Sequence, residues 1–365
     1  MNQAMEAADR PSPTVADVAD TAGVSRQTVS NVLNAPQRVR PETRARVEEA
    51  IATLGYLPNR AARALRVQAS QLIGYRVEPV HEESLASIHD RFLHALAEAG
   101  READHHLLLF TADDAEDELA ACARLYRAGG VDGFVLYGIG HGDPRPQALL
   151  RLGAPFAAFG RTDFDAGQHP WVDVDNAAGT AAAVDHLVAR GHRRVAFLGW
   201  PEGSQVGDHR ATGWRTALDK HGLLAESAEL DIRGDDSVAG GAALASYLLD
   251  RDHPPTAIVA VSDTLAVGAA QAARVRGRSL GRDLAIVGFD DTPTARVLDL
   301  SSVRQPIEAV GRAVIRALLE MLPAAPPAPA PAAPAADGRA DAPHTGRLVV
   351  PTLVVRASSA APVHR

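Results

Sequence analysis

Short apolar runs alternate with segments of helical periodicity from residue 72 onward, and this alternation limits the possible folds more than any other feature of the sequence. It is typical of parallel sheets covered by helices on both faces, and it predicts an α/β architecture with ligands at the carboxyl ends of the strands. The first series contains strands Leu72–Val77, His106–Phe110, Val131–Tyr137 and Pro155–Phe159, with helices Ser84–Ala99 and Ala115–Arg127. The second begins near Trp171 and contains strands Val195–Gly199, Thr256–Val261 and Leu284–Phe289, with helices Asn176–Arg190, Asp208–His221 and Thr264–Arg276.

The segment 323–346 interrupts this pattern, because seven prolines and ten alanines occupy 17 of its 24 positions. Such a composition predicts a disordered or polyproline-like insertion, exposed to solvent and without chemistry of its own. It separates a helix predicted at Ile307–Leu322 from a closing strand predicted at Leu348–Arg356.

Length and composition exclude several classes of protein. The 365 residues suffice for two or three domains of about 150 residues each. The single cysteine, Cys122, excludes an internal disulfide and a multi-thiolate metal site, which favours a reducing cytosol. No apolar run reaches the about 18 residues of a membrane span, and the N-terminus lacks the apolar stretch of a signal peptide. We therefore expect a cytoplasmic protein.

The charge of the N-terminal segment differs from that of the whole chain. Between Thr14 and Arg66, eight arginines face five carboxylates, a net charge of +3, whereas the whole chain carries −8. A basic module on an acidic body indicates an anionic partner for the module alone. A solvated, arginine-rich surface would explain the charge equally well, so the local motif must decide.

Three short helices are predicted in this segment. Thr14 and Asp17 form a capping-box pattern, Gly23 ends the first helix, and Ser25 caps a second one. Pro41 begins a third helix that runs to Leu54 with apolar residues on one face. This spacing predicts a helix-turn-helix, whose second helix lies in the major groove of DNA. The protein is therefore expected to be associated with the nucleoid when it is bound to DNA.

The polar residues of the second helix are the predicted DNA contacts. Arg26, Gln27 and Asn31 suit base edges, because arginine pairs with guanine and the amides pair with adenine. The short hydroxyl and amide side chains suit phosphate oxygens, and these are Ser25, Thr28, Ser30 and Asn34. The alternative is a polar helix face on a generic three-helix bundle.

Five motifs of this segment resemble the lactose/galactose-repressor (LacI/GalR) family of bacterial transcription regulators. They are Thr14–Ala19, Gly23–Ser25, Thr28–Asn34, Val39–Arg44 and Leu54–Asn59. The resemblance implies an all-α helix-turn-helix domain at 14–57, a hinge helix at 58–70 and a two-lobe, periplasmic-binding-protein-like α/β core at 71–360. The N-lobe is expected at about 71–170 and 301–322, and the C-lobe at about 171–300 and 347–360. The insertion at 323–346 departs from the compact connection that is usual in the family.

The segment Ala62–Arg66 resembles the hinge helix of that family. The resemblance implies that this helix folds only on the operator, paired with its two-fold mate, and that Leu65 wedges into the minor groove beside Arg66. Leu65 has an alternative role as an ordinary core leucine. The complete set of predicted DNA-binding residues is Thr14, Ser25, Arg26, Gln27, Thr28, Ser30, Asn31, Asn34, Tyr56, Asn59, Arg63, Leu65 and Arg66.

Two further motifs resemble effector-binding elements of the family. Arg210 begins an Arg-x-x-Gly-aromatic element, and Asp290 is the first aspartate of a Gly-aromatic-Asp-Asp strand end. The resemblance implies that Arg210 makes forked hydrogen bonds and that Asp290 accepts from hydroxyl groups, which together suit a polyol in the cleft between the lobes. The alternative is that the two side chains pair with each other across the cleft.

Two positions depart from the family pattern near this site. Ser262 stands where an asparagine is common, and Asp236 stands where an aromatic residue often stacks on the ligand. The loss of a stacking platform argues against a purine effector and weakens a simple hexose. Trp200 and Arg161 follow predicted strands and are further candidates, although a tryptophan in this place also serves packing.

Two motifs that are typical of enzymes occur in the sequence, but neither has the arrangement that catalysis requires. No cofactor or metal is predicted. Gly277–Gly281 matches a nucleophile elbow, but a helix precedes it and a strand follows, the reverse of the required order. Gly138, Gly140 and Gly142 lack the spacing of a dinucleotide fingerprint. A sugar-binding receptor would share the core but has no use for residues 14–66. The sequence thus predicts a repressor that binds pseudo-palindromic, double-stranded operator DNA as a homodimer and responds to a small-molecule effector, a carbohydrate.

Overall fold

The computed structural model describes residues 13–56, 69–77, 88–161, 169–323 and 346–360. The chain divides into two compact units, Met1–Ser70 and Gln71–Arg365. The expected hinge helix at 58–70 lies outside the described residues except for its last two positions. The expected insertion at 323–346 lies outside them except for its first and last residues.

The described residues of the first unit form three α-helices, and local capping sets their bounds. The hydroxyl of Thr14 accepts the amide of Asp17 at 3.4 Å, and the Asp17 carboxylate accepts the amide of Thr14 at 2.7 Å, which completes the predicted capping box. Gly23 ends the first helix with a φ of 62°, a conformation that favours glycine. The helices are α1 (Val15–Ala22), α2 (Arg26–Asn34) and α3 (Pro41–Leu54).

A small core holds these helices together. Val18, Val29 and Val47, one from each helix, are fully buried against one another. The burial of Val29 on the inner face of α2 leaves the polar residues of that helix on its outer face, as the predicted helix-turn-helix requires.

The second unit alternates strands and helices along its whole length. The elements of its first part are β1 (Leu72–Arg76), α4 (Ile88–Glu102), β2 (His106–Phe110), α5 (Ala115–Arg127), β3 (Gly133–Leu136), α6 (Arg145–Leu152), β4 (Phe156–Phe159) and β5 (Trp171–Val174). Those of its middle part are α7 (Asn176–Ala189), β6 (Val195–Gly199), α8 (Gln205–Lys220), α9 (Leu224–Ser227), β7 (Asp231–Arg233), α10 (Val238–Leu249), β8 (Ala257–Ala260), α11 (Asp263–Val275) and β9 (Ala285–Phe289). The remainder are α12 (Pro293–Val297), β10 (Ser301–Arg304), α13 (Ile307–Met321), β11 (Arg347–Val349), β12 (Thr352–Val354) and α14 (Ala357–Ala360).

These strands form two six-stranded sheets, one in each lobe. The N-lobe sheet has the order β11-β5-β4-β3-β1-β2, and the C-lobe sheet has the order β12-β10-β9-β8-β6-β7. The predicted parallel pairing holds for every pair except β10 and β12, which are antiparallel. Each sheet has its own buried core, so the second unit is a two-lobe α/β structure.

The sheet order moves the expected lobe boundaries. Strand β5 belongs to the N-lobe although its first residue, Trp171, was expected to begin the C-lobe. Strand β10 belongs to the C-lobe although residues 301–322 were expected in the N-lobe. The chain crosses between lobes only after each of these strands is complete, and a strand's own sequence does not state which sheet it joins.

The predicted closing strand Leu348–Arg356 is wrong as a single element. It is divided into β11, which pairs with β5 in the N-lobe, and β12, which pairs with β10 in the C-lobe. Pro351 lies between the two strands, and a proline cannot donate a ladder hydrogen bond. The division makes this segment a third connection between the lobes.

Candidate functional site

The exposed face of α2 carries the predicted base-reading residues. Arg26 and Gln27 are exposed, while Thr28, Ser30 and Asn31 are half-buried. The amide nitrogen of Gln27 donates to the Asn31 side-chain oxygen at 3.0 Å, so these two side chains lie together one turn apart. The face thus offers a guanidinium and two amides to a partner.

The hydroxyl groups at the start of α1 and α2 act as helix caps. The Ser25 hydroxyl accepts the amide of Thr28 at 3.1 Å and lies 2.9 Å from the Thr28 hydroxyl. Thr14 caps α1 in the same way. Both caps remain exposed at helix N-termini, where amide groups favour anions.

The remaining predicted DNA contacts divide into one correction and several untested positions. Tyr56 is only 6% exposed and packs into the three-helix core, so its ring contributes to stability rather than to an outer surface. Its position just after α3 turns the ring inward, which the sequence motif alone did not reveal. The side chain of Asn34 and the residues Asn59, Arg63, Leu65 and Arg66 lie outside the described part of the structure.

A cavity of about 790 Å³ lies between the two lobes of the second unit. Its N-lobe wall is aromatic: the ring of Tyr137 lies 4.2 Å from that of His89 and 5.6 Å from that of Phe159, between centroids. Its C-lobe wall is charged and carries Arg210, Asp236 and Asp290. Tyr137, Phe159 and Asp290 lie at the carboxyl ends of β3, β4 and β9, as expected for a site at the edges of parallel sheets.

Close packing of α8 on α7 places Arg210 in the wall. A Cβ atom on Gly213 would lie 2.2 Å from the carbonyl oxygen of Ala177, so only glycine permits this approach. The Nε of Arg210 donates to the side-chain oxygen of Asn176 at 2.8 Å, and its Nη1 donates to the Val261 carbonyl. The guanidinium also stacks on Phe289, 3.6 Å from the ring centroid. Arg210 is therefore held in one orientation.

Asp290 lies beside this guanidinium at the end of β9. Its Oδ1 is 3.8 Å from Nη1 of Arg210 and accepts the side-chain amide of Gln305 at 2.6 Å. Burial raises the pKa of Asp290 to about 7, although Arg210 acts in the opposite direction. Burial likewise lowers the pKa of Arg210. Both residues belong to the C-lobe, so the anticipated pairing across the cleft is wrong: they pair within one wall.

Ser262 and Asp236 lie together, but only Asp236 lines the cavity. The Ser262 hydroxyl donates to Oδ1 of Asp236 at 2.5 Å and accepts the amide of Leu265, which caps α11. Ser262 is almost completely buried. The predicted ligand contact by Ser262 is therefore replaced by a role in positioning Asp236.

Trp200 and Arg161 have different positions. Trp200 lines the cavity and also packs against the C-lobe core, a position compatible with both roles considered for it. Arg161 is not a lining residue. Its Nε donates to Asp173 at 3.0 Å, and its Nη2 lies 2.9 Å from Nδ1 of His209 on α8. The second contact joins the N-lobe to the C-lobe.

Sequence reasoning missed the aromatic wall and the side-chain amide of Gln305. Tyr137 was recognised only as the last residue of a strand, and His89 and Gln305 were not singled out. The rule that ligands bind at strand ends would have identified Tyr137, but the contribution of His89 depends on how α4 packs. Among the described residues, no group of three metal-ligating side chains converges on one point. No helix in the described ranges is long and apolar enough to cross a membrane.

Comparison with known proteins identifies both units. A sequence profile for "Bacterial regulatory proteins, lacI family" matches residues 14–59, and one for a "Periplasmic binding protein-like domain" matches residues 184–359. The HTH-type transcriptional regulator CelR of Thermobifida fusca is 34% identical over 317 residues, which are 85% of this chain and 92% of CelR.

Two solved structures share the fold. A LacI-family regulatory protein from Chloroflexus aggregans is 36% identical, with a TM-score of 0.69 over 79% of this chain and 98% of that protein. A complex of the transcriptional regulator CelR with cellobiose is 29% identical, with a TM-score of 0.67 over 95% of this chain and 99% of that one.

Proposed function

The chain belongs to the lacI family of bacterial regulatory proteins, and from this premise we propose that it is a repressor whose operator affinity is controlled by a sugar bound between the lobes. The helix-turn-helix and the two-lobe core make it a DNA-binding transcriptional regulator. The proposal concerns which residues bind operator and effector and how the two sites communicate.

For operator binding, α2 is the reading helix. Arg26, Gln27 and Asn31 contact base edges in the major groove, and the capped N-termini at Thr14 and Ser25 contact phosphates. The exposure of Arg26, Gln27, Thr14 and Ser25 supports this assignment, as do the hydrogen bond from Gln27 to Asn31 and the burial of the opposite face of α2. Base edges are read through hydrogen bonds, so loss of one side chain relaxes specificity at one position.

For effector binding, the single observation that carries the proposal is the pairing of Arg210 with Asp290 opposite an aromatic wall. A sugar ring has an apolar face that stacks on rings such as Tyr137, while its hydroxyls donate to Asp290 and accept from Arg210. The cavity volume of about 790 Å³ lies within the range of small-molecule sites and accommodates a disaccharide. The cellobiose bound to CelR makes this sugar the first probe.

Coupling between the sites requires a moving part and a second copy of the chain. We assign the moving part to the hinge, where Leu65 enters the minor groove when two hinge helices pair. The effector favours one lobe arrangement and so changes how easily the hinges pair. Pairing of two hinge helices on a two-fold operator requires two copies of the chain, so the proposal includes a homodimer.

The experiment uses the full-length chain and a randomised DNA pool. Selection is expected to enrich a pseudo-palindromic site, to which Leu65→Ala binds at least about tenfold more weakly than wild type. The affinity of the free Leu65→Ala protein for cellobiose is expected to match wild type, which shows that the core is intact. A pool without symmetric enrichment, or a variant with unaltered operator affinity, contradicts the proposal.

A further inference from the structure

The cavity carries more negative than positive charge among the described residues that line it. Four carboxylates line it and only one guanidinium, that of Arg210, opposes them; His89 is the other basic side chain in the wall. One carboxylate, that of Asp90, belongs to a side chain that is 71% exposed, so water screens it. The question is therefore which of the three inner carboxylates, those of Asp173, Asp236 and Asp290, presents an uncompensated charge to a ligand.

Two of these inner carboxylates have cationic partners. Asp173 accepts from Nε of Arg161 at 3.0 Å. Asp290 lies 3.8 Å from Arg210, and its raised pKa of about 7 means that it is partly protonated at neutral pH. Neither carboxylate therefore presents a full, uncompensated charge to a ligand.

Asp236 is different, because its only hydrogen-bond partner among the described residues is the neutral hydroxyl of Ser262. It forms no salt bridge with any residue in the described ranges, yet it lines the cavity on the same wall as Arg210. The Arg210 guanidinium cannot move toward it freely, since Asn176 and Val261 hold two of its nitrogens. An acceptor-only carboxylate is thus fixed in a partly enclosed site, where charges interact more strongly than in water.

We infer that Asp236 makes this cavity selective by charge: it attracts an amine-bearing sugar, accepts a neutral one and rejects a phosphorylated or acidic one. The inference rests on the proposed sugar-binding role of the cavity and adds the class of sugar that it takes. An ammonium group near Asp236 gains an ion pair, whereas a phosphate adds repulsion that Arg210 alone does not offset. Specificity here comes as much from repulsion of the wrong ligand as from attraction of the right one.

Three disaccharides that share a β-1,4 link test this inference by titration calorimetry on the full-length protein. They are cellobiose, the corresponding disaccharide of glucosamine, and cellobiose 6-phosphate. Wild type is expected to bind the amino sugar about tenfold more tightly than cellobiose, and the phosphate at least about tenfold more weakly. Asp236→Asn keeps an acceptor for Ser262 and removes the charge, so its three affinities are expected to converge to within about threefold.

Asp235→Asn is the matched control, because it removes the same charge from the adjacent exposed residue, which does not line the cavity. It is expected to retain the wild-type order of affinities. If wild type binds cellobiose and cellobiose 6-phosphate equally tightly, selection by charge is wrong, but the proposal that a sugar is the effector still stands. If Asp236→Asn keeps the wild-type order of the three affinities, Asp236 is not the residue that selects by charge. If none of the three sugars binds, the proposed sugar effector itself is wrong.

Discussion

Arg210 and Asp290 approach to 3.8 Å within the C-lobe wall of the cavity, and both side chains are at least 94% buried. The distance is longer than a direct hydrogen bond, so a guanidinium and a carboxylate face the cavity side by side without consuming each other's hydrogen-bonding capacity. The pair can therefore act as one binding element in which Arg210 donates and Asp290 accepts. Burial makes any loss of one partner costly, because the other is left without its counter-charge.

Arg210→Ala is expected to abolish the effect of cellobiose on operator binding while leaving operator affinity without sugar close to wild type. Forked hydrogen bonds from a charged donor contribute about 1.5–3 kcal/mol each, so sugar affinity falls at least about tenfold. Fluorescence anisotropy of labelled operator, with and without cellobiose, measures both quantities. Arg215→Ala is the control, since Arg215 lies on the same helix but is exposed and pairs with Asp231. A normal sugar response in Arg210→Ala contradicts this role.

Sugar affinity is expected to depend on pH through Asp290. The folded pKa of about 7 means that the carboxylate, which accepts from sugar hydroxyls, is largely ionised at pH 8 and largely protonated at pH 6. Cellobiose should therefore bind several-fold more weakly at pH 6 than at pH 8. Calorimetry across this range measures the change. Asp290→Asn should bind cellobiose weakly at both pH values. If Asp290→Asn instead keeps the wild-type pH dependence, a group other than Asp290 titrates in this range.

Arg26→Ala is expected to weaken binding to the selected operator by about 1–3 kcal/mol and to relax specificity at one base pair. Binding to random DNA should change much less, because phosphate contacts dominate there. The two affinities are measured by anisotropy at one fixed salt concentration. Arg46→Ala removes an exposed arginine from α3 rather than from α2 and serves as the control. Equal losses on both kinds of DNA in Arg26→Ala would make it a phosphate contact.

Acid should destabilise the C-lobe through His192. This side chain is 5% exposed, its Nδ1 contacts the Thr256 hydroxyl at 3.0 Å, and its Nε2 has no partner among the described residues. Burial, with a smaller contribution from His186, lowers its pKa from 6.5 to about 4. The depressed folded pKa means that its contribution to stability is complete above pH 6.5 and is lost as the pH falls toward 4, by about 3 kcal/mol at most.

His192→Gln should flatten this acid dependence. Urea unfolding between pH 4.5 and 7.5, followed by tryptophan fluorescence, to which the buried Trp214 contributes, gives the free energy of unfolding of the core. His94→Gln, a change at a histidine whose side chain is 73% exposed, should retain the wild-type slope. The same slope in both variants would exclude His192 as the source of the acid sensitivity.

Local patterns made the DNA-binding unit and the alternation of the core predictable. The Thr14–Asp17 capping box, the turn at Gly23 and the cap at Ser25 each involve residues four apart or fewer, so the local sequence predicts them directly. The strand-end rule likewise located the cleft, and the resemblance to family motifs placed Arg210 and Asp290 in it. These features depend on short-range geometry and on the general topology of parallel sheets.

Features that depend on distant parts of the chain were not predictable in this way. The contact of Ser262 with Asp236 joins the ends of two strands, and the aromatic wall exists only because α4 packs His89 against Tyr137. The motif that contains Tyr56 does not say that its ring turns inward. The division of the closing segment at Pro351 required knowledge of which sheet each half joins.

The most direct test of the account is a reciprocal measurement on the full-length protein. The dissociation constant for operator is measured with and without saturating cellobiose, and that for cellobiose with and without saturating operator. Linkage requires the two ratios to be equal, and the account predicts that saturating sugar changes operator affinity by about fivefold or more. A sugar that binds the cavity tightly yet leaves operator affinity unchanged would contradict the central claim that the two sites are coupled.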